Sequence, residues 1–266
     1  MKKLPISAYI VASNEEVRIP RCLEAIKDFA DEIIVVLDEK SDDNTGKIAE
    51  SYGAKVMVNP WKGHAAQKAF GTRQCKNDWV LALDADEEVS PELQQKLQDM
   101  FADGNLPEEG GFLMTWKTVF PGQIKPSKFA HTDHIIRLYN QKKAEIKDIE
   151  FSNDDRPKVH TGKVGRITEP VYHRTILSLG HVEFKNMNLT QEQAQHNFNK
   201  GKKISNFKLY TDFTFKFWKY FIQRRMFLLG WYGYTLSIIA AHRNFMRLAK
   251  TRELYQMAEL ENTTKK

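Results

Sequence analysis

Trp79-Val-Leu-Ala-Leu-Asp-Ala-Asp86 is a short apolar run that stops at two carboxylates separated by one alanine. Such a run, bounded by polar residues, is the pattern of a strand buried on both faces, as in the middle of a mainly parallel sheet. Asp84 and Asp86 would then lie at the carboxyl edge, where open α/β sheets bind their ligands. Side chains two apart on a strand point the same way, so both carboxylates can face one point in space. Two hard oxygen donors converging there suit Mg²⁺ or Mn²⁺ carrying a diphosphate. The competing reading is a pair of solvated acids opening the next helix, because Glu87, Glu88 and Ser90-Pro91-Glu92 have helix N-terminal character.

The residues before this stretch repeat one pattern. Ile6 to Ala12 reads as a strand, and Ser13-Asn14-Glu15-Glu16 supplies a capping residue with acids in the first helical turn. A helix carrying Ile19, Leu23 and Ile26 follows, and then a second buried strand from Glu32 that again ends in an aspartate, Asp38. Asp38-Glu-Lys-Ser-Asp-Asp-Asn-Thr45 is a polar turn before a short helix to Tyr52, a Gly53 cap and a strand from Ala54 to Val58. The helix His64 to Lys76 leads back to Trp79. This β-α-β alternation predicts an α/β fold with a mainly parallel central sheet and right-handed crossovers. No Gly-x-Gly-x-x-Gly follows the first strand and no Gly-Lys-Ser/Thr loop is present, so a dinucleotide or P-loop site is not expected. Phosphate has to be held otherwise, with a cation at Asp84 and Asp86 as one candidate and Lys68 as a second positive group. Spacing alone would place Lys68 on a solvated helix face.

The chain of 266 residues is 41% hydrophobic, enough to supply a core for one large domain or one domain with an appendage. Its net charge of +6 and pI near 9.1 favour an anionic partner: a phosphorylated ligand, acidic lipid or nucleic acid. Cys22 and Cys75 show neither metal-ligand spacing nor a reason to pair, which fits a reduced cytoplasmic compartment. Met-Lys-Lys-Leu-Pro-Ile runs straight into a strand-like segment without a signal-peptide core. The apolar stretch Met226 to Ala241 falls short of the roughly 18 residues a spanning helix needs.

Taken in order, four motifs carry a resemblance: Ile6-Ser-Ala-Tyr-Ile-Val-Ala-Ser-Asn-Glu-Glu16, Asp38-x-x-Ser-Asp-Asp-Asn-Thr45, Trp61-x-Gly-x-x-x-Gln-Lys68 and Leu83-Asp-Ala-Asp-Glu-Glu-Val-Ser-Pro-Glu-Leu93. The chain resembles the family 2 glycosyltransferases, and more narrowly their bacterial lipopolysaccharide core glucosyltransferase branch. The resemblance implies a GT-A fold, a nucleotide-sugar donor such as UDP-glucose, a divalent cation (Mg or Mn) and inversion at the anomeric carbon. It implies that Asn14 and Glu15 contact the uridine and that Asp38 accepts from the uracil ring, with Asp43 the second acid of that turn. By the same resemblance Lys68 sits beside the donor diphosphate, Asp86 ligates the cation, and Asp84 bridges to cation or ribose. Ala69 stands where the family often has asparagine. Carboxylates accept from N–H and hydroxyl donors, and a cation offsets charge on a departing diphosphate, so each role has a chemical basis.

Past a helix from Pro91 to Phe101 the pattern changes to strands, Gly110 to Phe120 and His134 to Tyr139, joined by Pro- and Gly-rich turns. Residues 1–100 would form a donor half and 101–185 an acceptor half of one catalytic domain, with 186–266 a helical extension. Thr132-Asp133-His-Ile-Ile-Arg137-Leu-Tyr139 resembles the branch's Pro-Asp-x-x-x-Arg-Leu-Phe, with threonine in place of proline. Inverting transfer needs a base for the acceptor hydroxyl, and Asp133 is the first candidate; its alternative role is structural partner of Arg137. Where the branch has Val-His-Glu this chain has Val159-His160-Thr161, leaving Asp154 and Asp155 as alternative bases. His173, in Pro170-Val-Tyr-His173, is either a late ligand to the cation or an ordinary buried histidine.

From Thr190 the chain reads as helical. Phe213, Phe217 and Phe221 recur every four residues among Lys216, Lys219, Arg224 and Arg225. That pattern suits a helix packed on the catalytic domain, or one lying on an anionic membrane face that carries a lipid-linked saccharide acceptor. Against a nucleic-acid partner, the acids Asp38, Asp84 and Asp86 would repel phosphate unless a cation intervenes. The readings left open are a transferase acting on another glycan acceptor and a basic membrane- or nucleic-acid-binding protein with a degenerate catalytic domain.

Overall fold

The structure is a computed structural model and describes residues 2–102, 106–151 and 154–264. The chain forms two compact units. The first comprises the residues up to Val119 with 123–126 and 131–175; the second comprises 120–122, 127–130 and the residues from Ile176 onward.

The first unit is built on an eight-stranded sheet. Its strands are β1 (Leu4–Ala12), β2 (Ala30–Asp38), β3 (Lys55–Asn59), β4 (Trp79–Asp84), β5 (Glu87–Val89), β6 (Gly111–Thr118), β7 (Thr132–Asn140) and β10 (Val164–His173), in the order β3-β2-β1-β4-β7-β6-β10-β5. A separate two-stranded ribbon pairs β8 (Ala144–Glu145) with β9 (Lys158–Val159). The run β3-β2-β1-β4 is parallel throughout, as the repeated β-α-β pattern requires. Its crossover helices are α1 (Ile19–Ile26), α2 (Thr45–Ser51) and α3 (His64–Gln74). β1 and β4 are apolar almost end to end because helices cover both faces of the sheet. On one face α1 buries Ile19, Cys22, Leu23 and Ile26 together with Trp79, Phe101 and Phe112. On the other, α3 presents Ala65, Ala66, Ala69 and Gly71, and a Cβ at Gly71 would come within 2.8 Å of the Tyr9 ring. The small residues let α3 lie close on β1.

Two features depart from the sequence pattern. Glu87-Glu88-Val89 does not open a helix; it forms β5, antiparallel to the end of β10, with His173 opposite Glu87. The helix α4 (Pro91–Met100) begins after it, capped by Ser90, whose Oγ accepts from Leu93 N at 3.1 Å. The second feature is a bulge in β7, where Leu138 pairs with Phe112 and Ile136 with Leu113, leaving Arg137 as the extra residue.

The second unit contains α5 (Leu179–Asn199), α6 (Asn206–Trp218) and the long α7 (Gly230–Thr264). Between α6 and α7 the backbone turns through a π-helical turn, Lys219–Gln223, and a 3₁₀ turn, Met226–Leu229, with Arg225 in the left-handed region (φ 55°). No helix among the described residues is long and apolar enough to cross a membrane.

Candidate active site

The carboxyl edge of the parallel strands brings the first-half candidates together. Ala12 pairs with Leu37 and Val11 with Asp84, so Asp38 and Asp84 close strands that flank β1 on either side. Two strand spacings and about two residues of offset put their Cα atoms roughly 12 Å apart, within the span of one nucleoside diphosphate.

The loops that follow β1 and β2 are tied to each other. Asn14 adopts a left-handed conformation (φ 54°), and its Oδ1 accepts from Ser41 Oγ at 3.1 Å and Asp42 N at 3.0 Å. Asp43 accepts from Thr45 N at 2.9 Å and Glu16 N at 3.0 Å. Burial opposes ionisation of Asp43, but these hydrogen bonds outweigh it and hold its carboxyl below the usual range. Asn14 and Asp43 thus shape the loops that frame Asp38. The Asp38 carboxylate accepts from Ser13 Oγ at 3.0 Å and Lys40 N at 3.1 Å. Glu15 is held by Arg18, whose Nε and Nη2 donate to it at 2.5 and 2.6 Å.

At β4 the sequence pair separates into two environments. Asp84 meets two cations: Arg137 Nη2 donates to Oδ2 at 2.6 Å, and Lys68 Nζ lies 3.1 to 3.2 Å from both oxygens. Arg137 also donates to Glu87 at 2.9 Å. Glu87 is 2% exposed and further accepts from Trp116 Nε1 at 2.8 Å and from Asp84 N at 3.0 Å. Lys68, only 1% exposed, reaches Asp155 at 2.5 Å as well as Asp84, so it is a buried bridge and not a solvated helix residue. The bulge in β7 re-aims Arg137 into this network, and the small-residue face of α3 sets Lys68 against it.

The network sets the charges. Burial would raise the Asp84 carboxyl, yet Arg137 and Lys68 outweigh it and hold Asp84 well below the usual carboxylate range. Glu87 goes the other way: burial and the neighbouring Asp84 charge push it up to about 6 despite Arg137. Burial also works against an ionised Asp155, and Lys68 overrides it.

Asp86 stands apart from these cations. Its Oδ2 lies 3.4 Å from His173 Nε2 and 3.9 Å from Arg18 Nη1. Burial raises the Asp86 carboxyl and lowers the His173 imidazolium, and their mutual contact reverses both shifts. The β5–β10 pairing positions this contact, because His173 ends β10 beside the turn that holds Asp86. Among the described residues no group of three or more His, Cys, Asp or Glu is set for a metal ion. A carboxylate and an imidazole this close would suit a cation that takes its other ligands from phosphate and water. Asp84, its side chain 29% exposed, holds both oxygens to Lys68 and Oδ2 also to Arg137.

The three base candidates fall in different places. Asp155 is in the network. Asp154 is exposed and pairs with Lys158 at 2.6 Å. Asp133, its side chain 62% exposed, pairs with His131 at 3.3 Å; among the described residues no hydrogen bond or ion pair joins it to Asp84, Asp86 or Arg137. The alternative of Asp133 as partner of Arg137 is corrected by the contacts that Arg137 makes instead. Glu87, Trp116 and Arg18 were not singled out in the sequence. For Glu87 the only signal was its place directly after the Asp-Ala-Asp run.

Comparison with known proteins fits this arrangement. The model of glycosyl transferase family 2 matches residues 7–115, the span from β1 into β6. A glycosyltransferase of Rickettsia typhi is 40% identical over 265 residues, covering 96% of this chain and 88% of its own. The chain belongs to glycosyl transferase family 2 and is a glycosyltransferase, with the GT-A arrangement of a mostly parallel sheet flanked by helices and followed by a long C-terminal helix. The lipopolysaccharide core biosynthesis glycosyltransferase LpsC of Rhizobium meliloti is 26% identical over 270 residues, 97% of this chain and 95% of that one. TarS 1–349 of S. aureus, in a crystal structure with UDP-GlcNAc, superposes with a TM-score of 0.47 at 14% identity, over 97% of this chain and 92% of that fragment.

Proposed function

We propose that the protein transfers a hexose, glucose in the first instance, from a UDP-sugar to a lipid-linked saccharide of the lipopolysaccharide inner-core type, with inversion at the anomeric carbon and on the cytoplasmic side of a membrane. The observation that carries the donor reading is the Asp86–His173 pair beside the Lys68–Asp84–Arg137 network, with Asp38 roughly one nucleotide's length away. The full-length similarity to LpsC supports the acceptor class.

In this reading Asp38, between the two linked loops, accepts from the base, and Asn14, Glu15 and Asp43 hold those loops in shape. A cation at Asp86 and His173 would supply Lewis-acid neutralisation of the diphosphate. Arg137 and Glu87 fix the Asp84 carboxylate, which is left to orient the ribose. The acceptor oxygen attacks the anomeric carbon from the face opposite the diphosphate, the new C–O bond forms as the bond to phosphate oxygen breaks, and a carboxylate takes the hydroxyl proton. Asp133 is the base favoured by the sequence motif, and Asp155 is the carboxylate that the fold brings to the network. The test is turnover of UDP-glucose, UDP-galactose and GDP-mannose with inner-core and other lipid-linked acceptors, with and without Mn²⁺, by the wild type and by Asp86→Ala, Asp133→Asn and Asp155→Asn. Metal-dependent transfer from UDP-glucose to the inner-core acceptor, lost in Asp86→Ala, is expected. Transfer confined to another acceptor, or full activity in Asp86→Ala, would overturn the corresponding part. Loss of about 10²-fold or more in rate, without weaker UDP binding, would identify the base.

A further inference from the structure

The second unit wears its apolar side outward. At about 100° per residue, Phe207, Tyr210, Phe215 and Trp218 of α6 fall within an arc of about 140°. All four are exposed, Phe207 at 78% and Trp218 at 53%. Thr211 and Thr214 share that arc, while Asp212 and Leu209 turn the other way, Asp212 being buried. The helix thus has two aromatic sides: Phe217 packs within the unit against Phe221 and Tyr234, while the arc from Phe207 to Trp218 is left uncovered.

The exposed aromatics continue around the turn into α7. Phe227 and Trp231 are exposed there, the latter at 63%. The turn is held in shape from within by Phe221, which stacks on Phe217 at 5.4 Å and meets Phe227 and Tyr234 edge-on at 6.2 and 5.8 Å. Its outer aromatics therefore project from a built support. Residues 200–225 carry eight Lys or Arg and a single acid, Asp212, which is the one turned inward. Lys208, next to the arc on α6, is exposed, as are Arg224 and Arg225 in the turn after α6.

We propose that this α6–α7 hairpin, with its tip at Trp218–Trp231, is a docking surface for the interfacial zone of an anionic lipid bilayer. Trp, Tyr and Phe settle at the headgroup level, where apolar rings are desolvated and polar edges stay wet, and each Lys or Arg near an anionic leaflet adds attraction. A bilayer matches both properties of the surface at once, whereas a second copy of the chain would bring the same positive charge against it. The inference does not rest on the glycosyl-transfer reading, because lipid binding is measured without donor or acceptor.

The test is co-sedimentation of the full-length protein with vesicles of phosphatidylcholine alone or containing about 30% phosphatidylglycerol, together with light scattering of the protein in solution. Two double variants are compared with the wild type: Lys208→Glu/Arg224→Glu and Phe215→Ser/Trp218→Ser. Circular dichroism and melting confirm that each folds, and retained UDP binding shows that the first unit is intact. The wild type is expected to sediment with the anionic vesicles and not with the neutral ones, with each variant weaker by about tenfold or more. Failure of the wild type to bind anionic vesicles, or equal binding by the folded variants, overturns the proposal. A wild-type dimer that Phe215→Ser/Trp218→Ser dissolves, without vesicle binding, overturns it in favour of a second copy as the occupant.

Discussion

Replacing Asp155 by asparagine should tighten the binding of UDP. Lys68 is buried and holds two carboxylates, Asp84 at 3.1 Å and Asp155 at 2.5 Å. A donor diphosphate that reaches this ammonium has to displace one of them. Asp84 is held by Arg137 as well, so Asp155 is the one to leave. A charge-assisted hydrogen bond contributes about 1.5–3 kcal/mol, and because the Asp155 side chain is 26% exposed the lower half of that range applies. An amide cannot match it. With about 1–2 kcal/mol less to displace, UDP should bind about five- to thirtyfold more tightly to the variant, at 1.4 kcal/mol per tenfold. The free variant should melt a few degrees lower, having lost the same contact. Burial raises the Asp155 carboxyl and Lys68 more than offsets this, so its pKa lies below the unfolded value. The contact therefore stabilises above the usual carboxylate range and is lost as pH falls through the folded pKa, which makes the variant effect constant from about pH 6 to 8. Titration calorimetry with Mn²⁺ and UDP, alongside thermal melts, measures both quantities. Unchanged or weaker UDP binding by a folded Asp155→Asn would refute the displacement.

Other perturbations have equally definite outcomes. Arg137→Met leaves Asp84 and the buried Glu87 without their shared cation; a cost of about 3–5 kcal/mol should lower the melting temperature by about 6–20 °C, and a shift under about 2 °C would show that the network is not held by Arg137. His173→Ala should abolish most of the Mn²⁺-dependent gain in UDP affinity while leaving metal-free binding unchanged, and a full gain in the variant rejects His173 as a ligand. Gly233→Ala would put a Cβ 1.7 Å from the Met226 carbonyl oxygen, so the turn before α7 must shift. It should cost about 1–3 kcal/mol in stability and weaken vesicle binding, and a melt like the wild type's would mean the turn relaxes freely.

How much of this was legible in the sequence depended on where each residue's environment comes from. β1, β2 and β4 were legible because strands covered on both faces must be apolar throughout, and their ends exposed Asp38, Asp84 and Asp86 at once. β5 was not, since Glu87-Glu88-Val89 has no strand character of its own and pairs only because β10 lies alongside. With it went the position of His173 and the burial of Glu87. Alternation along β7 could not foretell the direction of Arg137, because a bulge at that residue breaks the alternation. The resemblance put Lys68 beside the diphosphate, while spacing alone gave it a solvated helix face, because lysine usually has one. The signal against that reading was Ala65, Ala66, Ala69 and Gly71 around it, a stripe too small to keep a sheet at a distance. The repeat Phe213, Phe217 and Phe221 was plain, but Phe217 and Phe221 turn to Tyr234, and the exposed arc is a different set that the repeat did not show.

The charges at the sheet edge constrain how a diphosphate can be accommodated there. Lys68 and Arg137 look like a cradle for phosphate, yet each already contacts carboxylate oxygens within 3.2 Å, and Asp84, Glu87 and Asp155 outnumber the two cations. With all three ionised the cluster carries one net negative charge and repels an anion. The protonation of Glu87 near pH 6 only cancels that charge. Positive potential for a diphosphate must therefore be brought in with it or freed by removing an acid. Asp86 and His173 allow the first route, since neither contacts Lys68 or Arg137. The Asp155 contact allows the second. A nucleotide that used both would arrive with its cation and free the Asp155 carboxylate at the same step, so donor binding would precede that carboxylate's readiness to accept a proton.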